Sequence, residues 1–310
     1  MKWAKETILS WYETMVKIRQ FENILDDYNN QGKIYGTTHL YNGEEAIATA
    51  ILTLADRGDY ALSTHRNHGH AIAKGLSTKA MFAEIFGRES GINRGRAGSM
   101  QISDFSKGFI GGNGIVGGNF PIALGLAKAL QMDQKNQVVL CFSGDGATNQ
   151  GTFHESLNLA SVWKLPILFI IENNQYAMSS YTDHMTAGDI VSRGQNYEMK
   201  SLKINGQDIF TVAEAFLQAR QVLKDGPVLM EVTTYRFRGH SRSDKEDYRT
   251  KDDYLNYQDP IVALRDFILI EGYRTQDELA FMEERIYQTL MEEAAEAYAS
   301  PAAGCEVENE

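Results

Sequence analysis

Cysteine is scarce in this sequence, and long apolar runs are missing. Two cysteines in 310 residues cannot build a disulfide framework, so a reducing compartment is expected. Cys141 lies inside an apolar run and is predicted to be a core residue, while Cys305 belongs to the acidic tail. The longest apolar run, residues 166–171, is far too short to cross a bilayer. Residues 1–15 are amphipathic and show no secretory signal, which predicts a cytoplasmic protein that has no membrane partner.

Positive charge is also in short supply. The chain has 30 Lys and Arg against 41 Asp and Glu, which gives a formal net charge of −11. A nucleic-acid binder or an anionic-membrane binder would need net basic faces, so both classes are excluded as general functions. Local basic clusters remain able to bind small anions. The hydrophobic content of 43% is ordinary for a globular protein with a large core.

Helices and buried strands alternate along most of the chain. The helical spacing of apolar residues predicts a first helix over residues 7–31, ending at Gly32. Further helices are predicted over residues 43–54, 78–86, 121–132, 152–162, 211–224, 260–271 and 275–299, and strands over 60–63, 138–143, 167–171 and 228–234. This alternation predicts an α/β fold in which a mostly parallel sheet has helices on both faces. We expect residues 1–310 to form a single domain with a C-terminal helical extension at about 260–300.

Two irregular stretches and the chain end complete this outline. Residues 87–119 are rich in glycine and are predicted to be a functional loop. Residues 238–259 are charged and contain no predicted strand, so they are interpreted as a mobile loop. The last ten residues are predicted to be frayed.

Polar residues follow two neighbouring strands of the predicted sheet. Gly144-Asp145-Gly146 ends the strand at 138–143, and Glu172-Asn173-Asn174 ends the strand at 167–171. Parallel strands that are joined by one helix end on the same edge of the sheet, where ligands of open α/β folds bind. A carboxylate and an amide oxygen suit Mg²⁺, and the glycines with the following helix N-terminus suit a phosphate. The pattern therefore predicts a Mg²⁺-diphosphate site, although Gly-Asp-Gly alone is also typical of a tight turn.

The glycines of GGNGIVGG, residues 111–118, allow a second interpretation. Gly112, Gly114 and Gly117 match the G-x-G-x-x-G pattern of dinucleotide-binding proteins. The residues before them make a poor buried strand, so a nicotinamide-dependent dehydrogenase is only the alternative. We expect these glycines to allow a close approach of the backbone to a ring or a phosphate.

Two basic clusters are candidates for anion binding. In THRNHGH, residues 64–70, Arg66 is predicted to pair with phosphate and His70 to be a packed core residue. The spacing of the histidines there does not favour zinc. In FRGHSRSD, residues 237–244, His240 is interpreted as an anion contact or a proton shuttle, or as part of a solvated loop.

These motifs together resemble the alpha subunit of the thiamine diphosphate-dependent component of 2-oxo-acid dehydrogenase complexes. The resemblance covers roughly residues 10–265 and includes HLYNGEEA, STHRNHGHAIAKG, GGNGIVGG, GDG…ENN and YRFRGHSRSD. It implies a thiamine diphosphate-binding fold and a cofactor that cleaves a bond beside a carbonyl group. The two-carbon acyl unit then passes to a lipoyl group on an acyltransferase of the multienzyme complex.

The resemblance also implies roles for individual residues. Asp145, Asn174 and the backbone carbonyl of Tyr176 correspond to the Mg²⁺ ligands of the family. The remaining matches are the diphosphate contacts Gly146 and Ala147, the phosphate-end contacts Arg66 and His240, the aminopyrimidine contacts Gly114 and Val116, and the active-site histidine His39. His39 and His240 are the predicted catalytic residues. His65 stands where some members have a tyrosine beside the cofactor, and its role is left open.

A beta subunit is the expected partner, because members of this family take from it the glutamate that activates the cofactor. The chain is therefore expected to form an α2β2 heterotetramer. Its motifs favour acetoin slightly over pyruvate, and a branched-chain 2-oxo acid is the alternative substrate. Eukaryotic relatives are phosphorylated at the serine of the GHS element, which corresponds to Ser241, with Ser243 nearby. The sequence does not indicate a kinase.

Overall fold

A six-stranded parallel sheet forms the centre of the molecule. The computed structural model describes residues 2–250 and 253–304. The strands are β1 (Tyr60–Leu62), β2 (Phe109–Gly111), β3 (Val139–Gly144), β4 (Ile167–Asn173), β5 (Tyr176–Ala177), β6 (Ser180–Tyr181), β7 (Lys200–Asn205) and β8 (Val228–Thr233). The order across the sheet is β2-β1-β3-β4-β8-β7, and β5 and β6 form a separate antiparallel pair.

Helices cover both faces of this sheet. They are α1 (Lys5–Asn30), α2 (Glu45–Leu54), α3 (His68–Ala73), α4 (Thr78–Ile85), α5 (Asn119–Met132), α6 (Gly151–Val162), α7 (Thr182–Met185), α8 (Ile190–Gln195), α9 (Ile209–Val222), α10 (Pro260–Ile270) and α11 (Gln276–Ala299). Helices α5 and α6 pack on one face, and α1, α2 and α9 belong to the larger cluster on the other. The predicted α/β class is confirmed.

The central strands are apolar on both faces because both faces are covered. In β3, Leu140 and Phe142 belong to the larger core cluster, whereas Val139 and Cys141 belong to the smaller one. Successive strand residues point to opposite faces, so a continuous apolar run fills both halves of the core. The predicted core position of Cys141 is confirmed, since the residue is fully buried.

The first helix follows the predicted periodicity closely. Trp11, Met15, Ile18 and Leu25 are buried along one stripe of α1, as apolar residues three or four apart should be. The helix ends at Asn30, and Gly32 adopts a left-handed conformation with φ of +72°. Glycine takes this conformation without a steric penalty, so it is well suited to the chain reversal after a helix.

The edges of the sheet depart from the sequence predictions. Strand β2 lies directly before Gly112, in the stretch for which the sequence predicts an irregular loop, and no sequence pattern predicts β7. Both are edge strands, and β2 is only three residues long. Strand β4 also continues two residues further than expected, through Glu172 and Asn173, because both pair with β8.

Helices α10 and α11 lie where the sequence predicts two C-terminal helices, and the tail that follows them is partly anchored. The peptide N–H of Glu89 donates to Pro301, and that of Ala303 donates to Gly87, so residues 301–303 are held against the start of the long loop. The expectation that they are frayed is wrong. Cys305 and the remaining tail residues lie outside the described residues.

Two further expectations concern a loop and the membrane. Residues 238–250 contain no helix or strand, as predicted, and Asp253–Asn256 form a single 3-10 turn. In the described part of the chain, no helix combines the length and apolarity that are needed to cross a membrane.

Candidate functional site

The carboxyl ends of β3 and β4 open into one cavity of about 380 Å³. Gly144 of β3 pairs in register with Glu172 of β4, so the residues that follow each strand lie side by side. Asp145 and Asn174 line this cavity and are only 2% and 6% exposed. The sheet topology therefore brings together the two residues that the sequence placed at neighbouring strand ends.

Asp145 begins a 3-10 turn that leads into α6. Its Oδ2 accepts a hydrogen bond of 2.5 Å from the hydroxyl of Thr182. Burial raises the pKa of the Asp145 carboxyl, and the hydrogen bond from Thr182 opposes that rise. One carboxylate oxygen is thus engaged by protein, and Asp145 still lines the cavity.

Asn174 is oriented by a buried carboxyl group. Its Nδ2 donates to Oε1 of Glu44 at 2.7 Å, while its Oδ1 has a long contact of 3.4 Å from the peptide N–H of Tyr176. Burial, reinforced by the nearby Glu172, raises the pKa of Glu44 to about 8. The amide oxygen is therefore the atom of Asn174 that a cation could use.

Tyr176 lies in the short hairpin that follows β4. Its backbone carbonyl accepts a hydrogen bond of 3.4 Å from Nη1 of Arg236, whose Nη2 also donates to Met178 O at 3.0 Å. Arg236 is 1% exposed, and it holds the hairpin against the cavity. These contacts fix the hairpin that carries Tyr176 beside the cavity.

A second arginine lies at the cavity wall. Arg66 is 4% exposed, and it donates from Nη1 to Leu40 O at 2.7 Å and from Nη2 to His240 O at 2.9 Å. Burial, together with the charge of Arg236, lowers the pKa of Arg66 to about 10. Arg66 is still protonated at neutral pH, so the cavity contains a fixed positive charge that suits a phosphate group.

Three imidazoles converge on one another beside Arg66. His39, His65 and His240 have ring nitrogens within 4.8 Å of one another. Burial, with a smaller effect of the Arg66 charge, lowers the pKa of His39 to about 4, that of His65 to about 2 and that of His240 to about 3. All three are therefore neutral near pH 7. His39 Nδ1 lies 2.7 Å from the backbone oxygen of His240, so Nδ1 carries the proton and Nε2 is left as an acceptor.

The loop between β2 and α5 forms another side of the cavity. Gly114 and Val116 line it, and Val116 is 54% exposed. Gly117 has a φ of +81°, and a Cβ atom there would lie 2.9 Å from Thr152 Oγ1. Gly146 is similarly restricted, because a Cβ atom would lie 2.7 Å from that of Ala177. Glycine allows the backbone to come this close.

All the predicted site residues line this one cavity: His39, His65, Arg66, Gly114, Val116, Asp145, Gly146, Ala147, Asn174, Tyr176 and His240. His70 is instead fully buried and hydrogen-bonded to Ser63 and Glu172, which confirms it as a packed core residue. The lining residues that the sequence does not predict include Glu44 and Arg236. Glu44 lies in HLYNGEEA and Arg236 in YRFRGHSRSD, but neither motif alone indicates which of its charged residues is buried.

Buried carboxyl groups and buried arginines both line the cavity. Asp145, Glu44 and Glu172 are the buried carboxyl groups that line it, and Arg66 and Arg236 are the buried arginines. Oxygen atoms could hold a hard divalent cation, and the guanidinium groups could bind phosphate oxygens. Such a site could bind a metal-bridged phosphate ester.

Comparison with known proteins shows the family. The family model described as "Dehydrogenase E1 component" matches residues 12–306. The alpha subunit of acetoin:2,6-dichlorophenolindophenol oxidoreductase from Bacillus subtilis is 41% identical over 293 residues, which cover 93% of this chain and 87% of that subunit. The subunit of the same name from Cupriavidus necator is 41% identical over 308 residues, or 97% and 92% of the two chains. The alpha subunit of the pyruvate dehydrogenase E1 component from Rickettsia felis is 36% identical over 294 residues, or 93% and 90%.

These matches confirm the resemblance that the sequence motifs indicated. Dehydrogenase E1 components are thiamine diphosphate-dependent oxidoreductases, so the predicted class of enzyme is confirmed with the family. With a family match across nearly its whole length, and relatives that it covers almost completely, the chain belongs to the family of dehydrogenase E1 components.

Proposed function

We propose that this chain binds the diphosphate end of thiamine diphosphate through Mg²⁺ at the carboxyl ends of β3 and β4. One observation carries the proposal: Asp145 and Asn174 extend from adjacent parallel strands into a single buried cavity. Tyr176, whose carbonyl is the proposed third ligand, lines the same cavity. One carboxylate, one amide and one carbonyl form an oxygen-only donor set of the kind that Mg²⁺ prefers.

The hydrogen bonds around these donors fit a bound cation. Thr182 occupies Oδ2 of Asp145, and Glu44 accepts from the nitrogen of Asn174. Because of these two contacts, Asp145 and Asn174 each present an oxygen atom to the cavity rather than a hydrogen-bond donor. The carboxyl group of Asp145 is buried and burial disfavours its charged form, so a divalent cation would also offset the cost of burying that negative charge.

Other residues that line the cavity fit the phosphate groups. The two bonds of Arg66 to backbone carbonyls fix its guanidinium, so little entropy remains to be lost on binding. Gly146 and Ala147, the proposed diphosphate contacts, lie just before the N-terminus of α6. A helix N-terminus favours negative charge, which supports this placement of the phosphates.

When bound, thiamine diphosphate supplies the nucleophilic carbon and the electron sink for cleavage beside a carbonyl group. The histidines of this chain are proposed to act on the substrate. Because His39 is neutral and uses Nδ1 to donate to His240 O, its Nε2 can accept a proton or a hydrogen bond. His240 and His65 can donate to a developing negative charge or orient a substrate oxygen.

We propose that the chain is the alpha subunit of an acetoin or pyruvate dehydrogenase component. A beta subunit in an α2β2 assembly and a lipoyl-bearing acyltransferase are its proposed partners. The identities of 41% to acetoin-type subunits and 36% to a pyruvate-type subunit support a slight preference for acetoin. A branched-chain 2-oxo acid is the second candidate. The nicotinamide alternative is set aside because the E1 family match includes the glycine loop.

Substitution of Asp145 tests the proposed metal site. Asp145→Asn removes the carboxylate charge with little change of shape, so Mg²⁺-dependent binding of thiamine diphosphate should weaken about tenfold or more. Isothermal titration calorimetry of the chain co-purified with a beta-type chain measures this affinity at several Mg²⁺ concentrations. The matched control is Asp183→Asn, which alters an exposed acid next to Thr182, the residue that donates to Asp145.

Two results would contradict the metal site. The first is an affinity for thiamine diphosphate that depends on Mg²⁺ in Asp145→Asn as it does in wild type. The second is an equal loss of that affinity in Asp183→Asn. A dye-reduction assay with acetoin, pyruvate and branched 2-oxo acids tests the substrate separately. Acetoin should give the highest kcat/KM, and full activity without any second chain would contradict the proposed need for a beta subunit.

A further inference from the structure

A continuous series of polar contacts links three neighbouring strands, β7, β8 and β4, to the turn that follows β3. Lys203 of β7 pairs in register with Glu231 of β8, and its Nζ lies 3.3 Å from Glu231 Oε1. The same oxygen accepts from Asn173 Nδ2, at the end of β4, at 2.9 Å. Since the strand order is β3-β4-β8-β7, this series leads from the edge of the sheet toward Asp145 beyond β3.

The series of polar contacts continues through the turn after β4. Asn173 Oδ1 accepts from the peptide N–H of Gln175 at 3.2 Å, and Gln175 O accepts from the peptide N–H of Thr182 at 3.0 Å. Gln175 has a φ of +74°, a conformation that non-glycine residues adopt at a cost. The side chain of Asn173 therefore stabilises a turn that would otherwise be strained, and this turn places Thr182 against Asp145.

Every side chain in the inner part of this series is buried. Glu231, Asn173, Thr182 and Asp145 are 1%, 6%, 4% and 2% exposed. Water competes poorly for hydrogen bonds in such surroundings, so each bond restricts the orientation of its partners strongly. Thr182 has one hydroxyl proton, and the 2.5 Å distance to Asp145 Oδ2 shows where it is donated.

We propose that Thr182 is a positioning residue, which fixes the carboxylate of Asp145 so that its other oxygen faces the cavity. Glu231 and Asn173 act one step further away, by holding the turn that carries both Thr182 and Tyr176. This inference rests on the proposed function, since it deepens the metal site at Asp145. In this proposal Thr182, Asn173 and Glu231 do not contact the cation themselves. They determine how well its ligands are arranged before it binds.

Removal of a single hydroxyl group tests the inference. Thr182→Val keeps the shape of the side chain but loses the donor, whereas Thr182→Ser keeps the donor. The dissociation constant of Mn²⁺, used as a spectroscopic probe at saturating thiamine diphosphate, is measured by electron paramagnetic resonance on the complex with a beta-type chain. We expect it to rise about tenfold in Thr182→Val and to stay within about twofold of wild type in Thr182→Ser.

A matched control separates positioning from a general loss of stability. Thr49 is fully buried in α2, and its hydroxyl has no hydrogen-bond partner among the described residues, so Thr49→Val should leave Mn²⁺ binding unchanged. Turnover of Thr182→Val should fall at low Mg²⁺ and recover as the Mg²⁺ concentration is raised, because the ligands themselves are intact. A merely structural defect would instead lower turnover at every Mg²⁺ concentration.

A second variant keeps the inference testable if Thr182→Val folds poorly. Glu231→Gln weakens the support of Asn173 without touching Thr182, and it should raise the dissociation constant of Mn²⁺ about threefold. Unchanged Mn²⁺ affinity in the folded variants would overturn the inference. If Asp145→Asn weakens cation binding while these variants do not, only the positioning role fails. If Asp145→Asn also has no effect, the proposed metal site itself fails.

Discussion

At the scale of single residues, close packing around the site leaves little room for an added atom. Gly69 is the second residue of α3, and a Cβ atom there would lie 2.2 Å from Cδ1 of the Tyr41 ring. Tyr41 is fully buried and donates its hydroxyl to Glu172, one of the cavity carboxylates. The ring therefore cannot move aside without breaking a buried hydrogen bond.

Gly69→Ala should destabilise the chain by about 1–3 kcal/mol, the usual cost of overpacking a core. Gly125→Ala is the matched control, since no atom lies within 4 Å of a Cβ at this exposed helical position. It should be neutral or stabilising by up to about 1 kcal/mol, because alanine favours helix. Urea unfolding of both variants measures the difference. Equal stabilities would show that the Tyr41 ring has room to shift.

The two side chains that are proposed as metal ligands were the most accessible to prediction from sequence. Asp145 and Asn174 are polar residues after apolar strands, a pattern that is visible without a structure. Thr182 and Arg236 could not be recognised in this way. Their contacts depend on the hairpin at residues 176–181, and no local pattern indicates how that hairpin folds back on Asp145.

At the scale of elements, one carboxylate organises much of the loop between α4 and β2. Glu84 is fully buried in α4, and its two oxygens accept from the peptide N–H groups of four loop residues, namely Asn93, Gly95, Ala97 and Gly98. A carboxylate is well suited to this, because it has only acceptors. The loop leads directly to Met100, which lines the cavity.

Glu84→Gln should loosen this loop, because the amide nitrogen cannot accept and would face N–H groups. We expect a loss of about 2–3 kcal/mol in the free energy of unfolding and faster tryptic cleavage at Arg94 and Arg96, which are exposed. Glu89→Gln changes an exposed acid in the same loop and is the control. Cleavage at equal rates in the two variants would argue that Glu84 does not hold the loop.

The long elements were predictable and the short ones were not. Helices and central strands have apolar periodicity over many residues, so β3, β4 and β8 were found nearly in full. Strand β7 has a mixed, half-exposed pattern, and β2 has only three residues. Both owe their conformation to the neighbouring strand rather than to their own sequence, since hydrogen bonds across the sheet form only after the chain has folded.

At the scale of the whole molecule, the neutral histidines of the cavity make stability depend on pH. For His39, the pKa is about 4 in the folded chain against 6.5 in the reference state, because burial and Arg66 disfavour the charged form. Between these values the unfolded chain binds more protons than the folded one. The contribution of neutral His39 to the free energy of unfolding is therefore complete above pH 6.5, and it is lost as the pH falls toward 4. Glu44 acts in the opposite direction, because its raised pKa of about 8 favours proton uptake on folding.

Comparison of variants isolates one histidine from these opposing contributions. In the cofactor-free chain, His39→Gln should reduce the slope of unfolding free energy against pH by about 1 kcal/mol per pH unit between pH 5 and 6. His184→Gln removes an exposed histidine and should leave the slope nearly unchanged. Urea denaturation that is followed by tryptophan fluorescence at pH 5, 5.5 and 6 gives both slopes. A wild-type slope in His39→Gln would mean that His39 becomes charged without unfolding, and hence that water reaches the cavity more freely than its burial indicates.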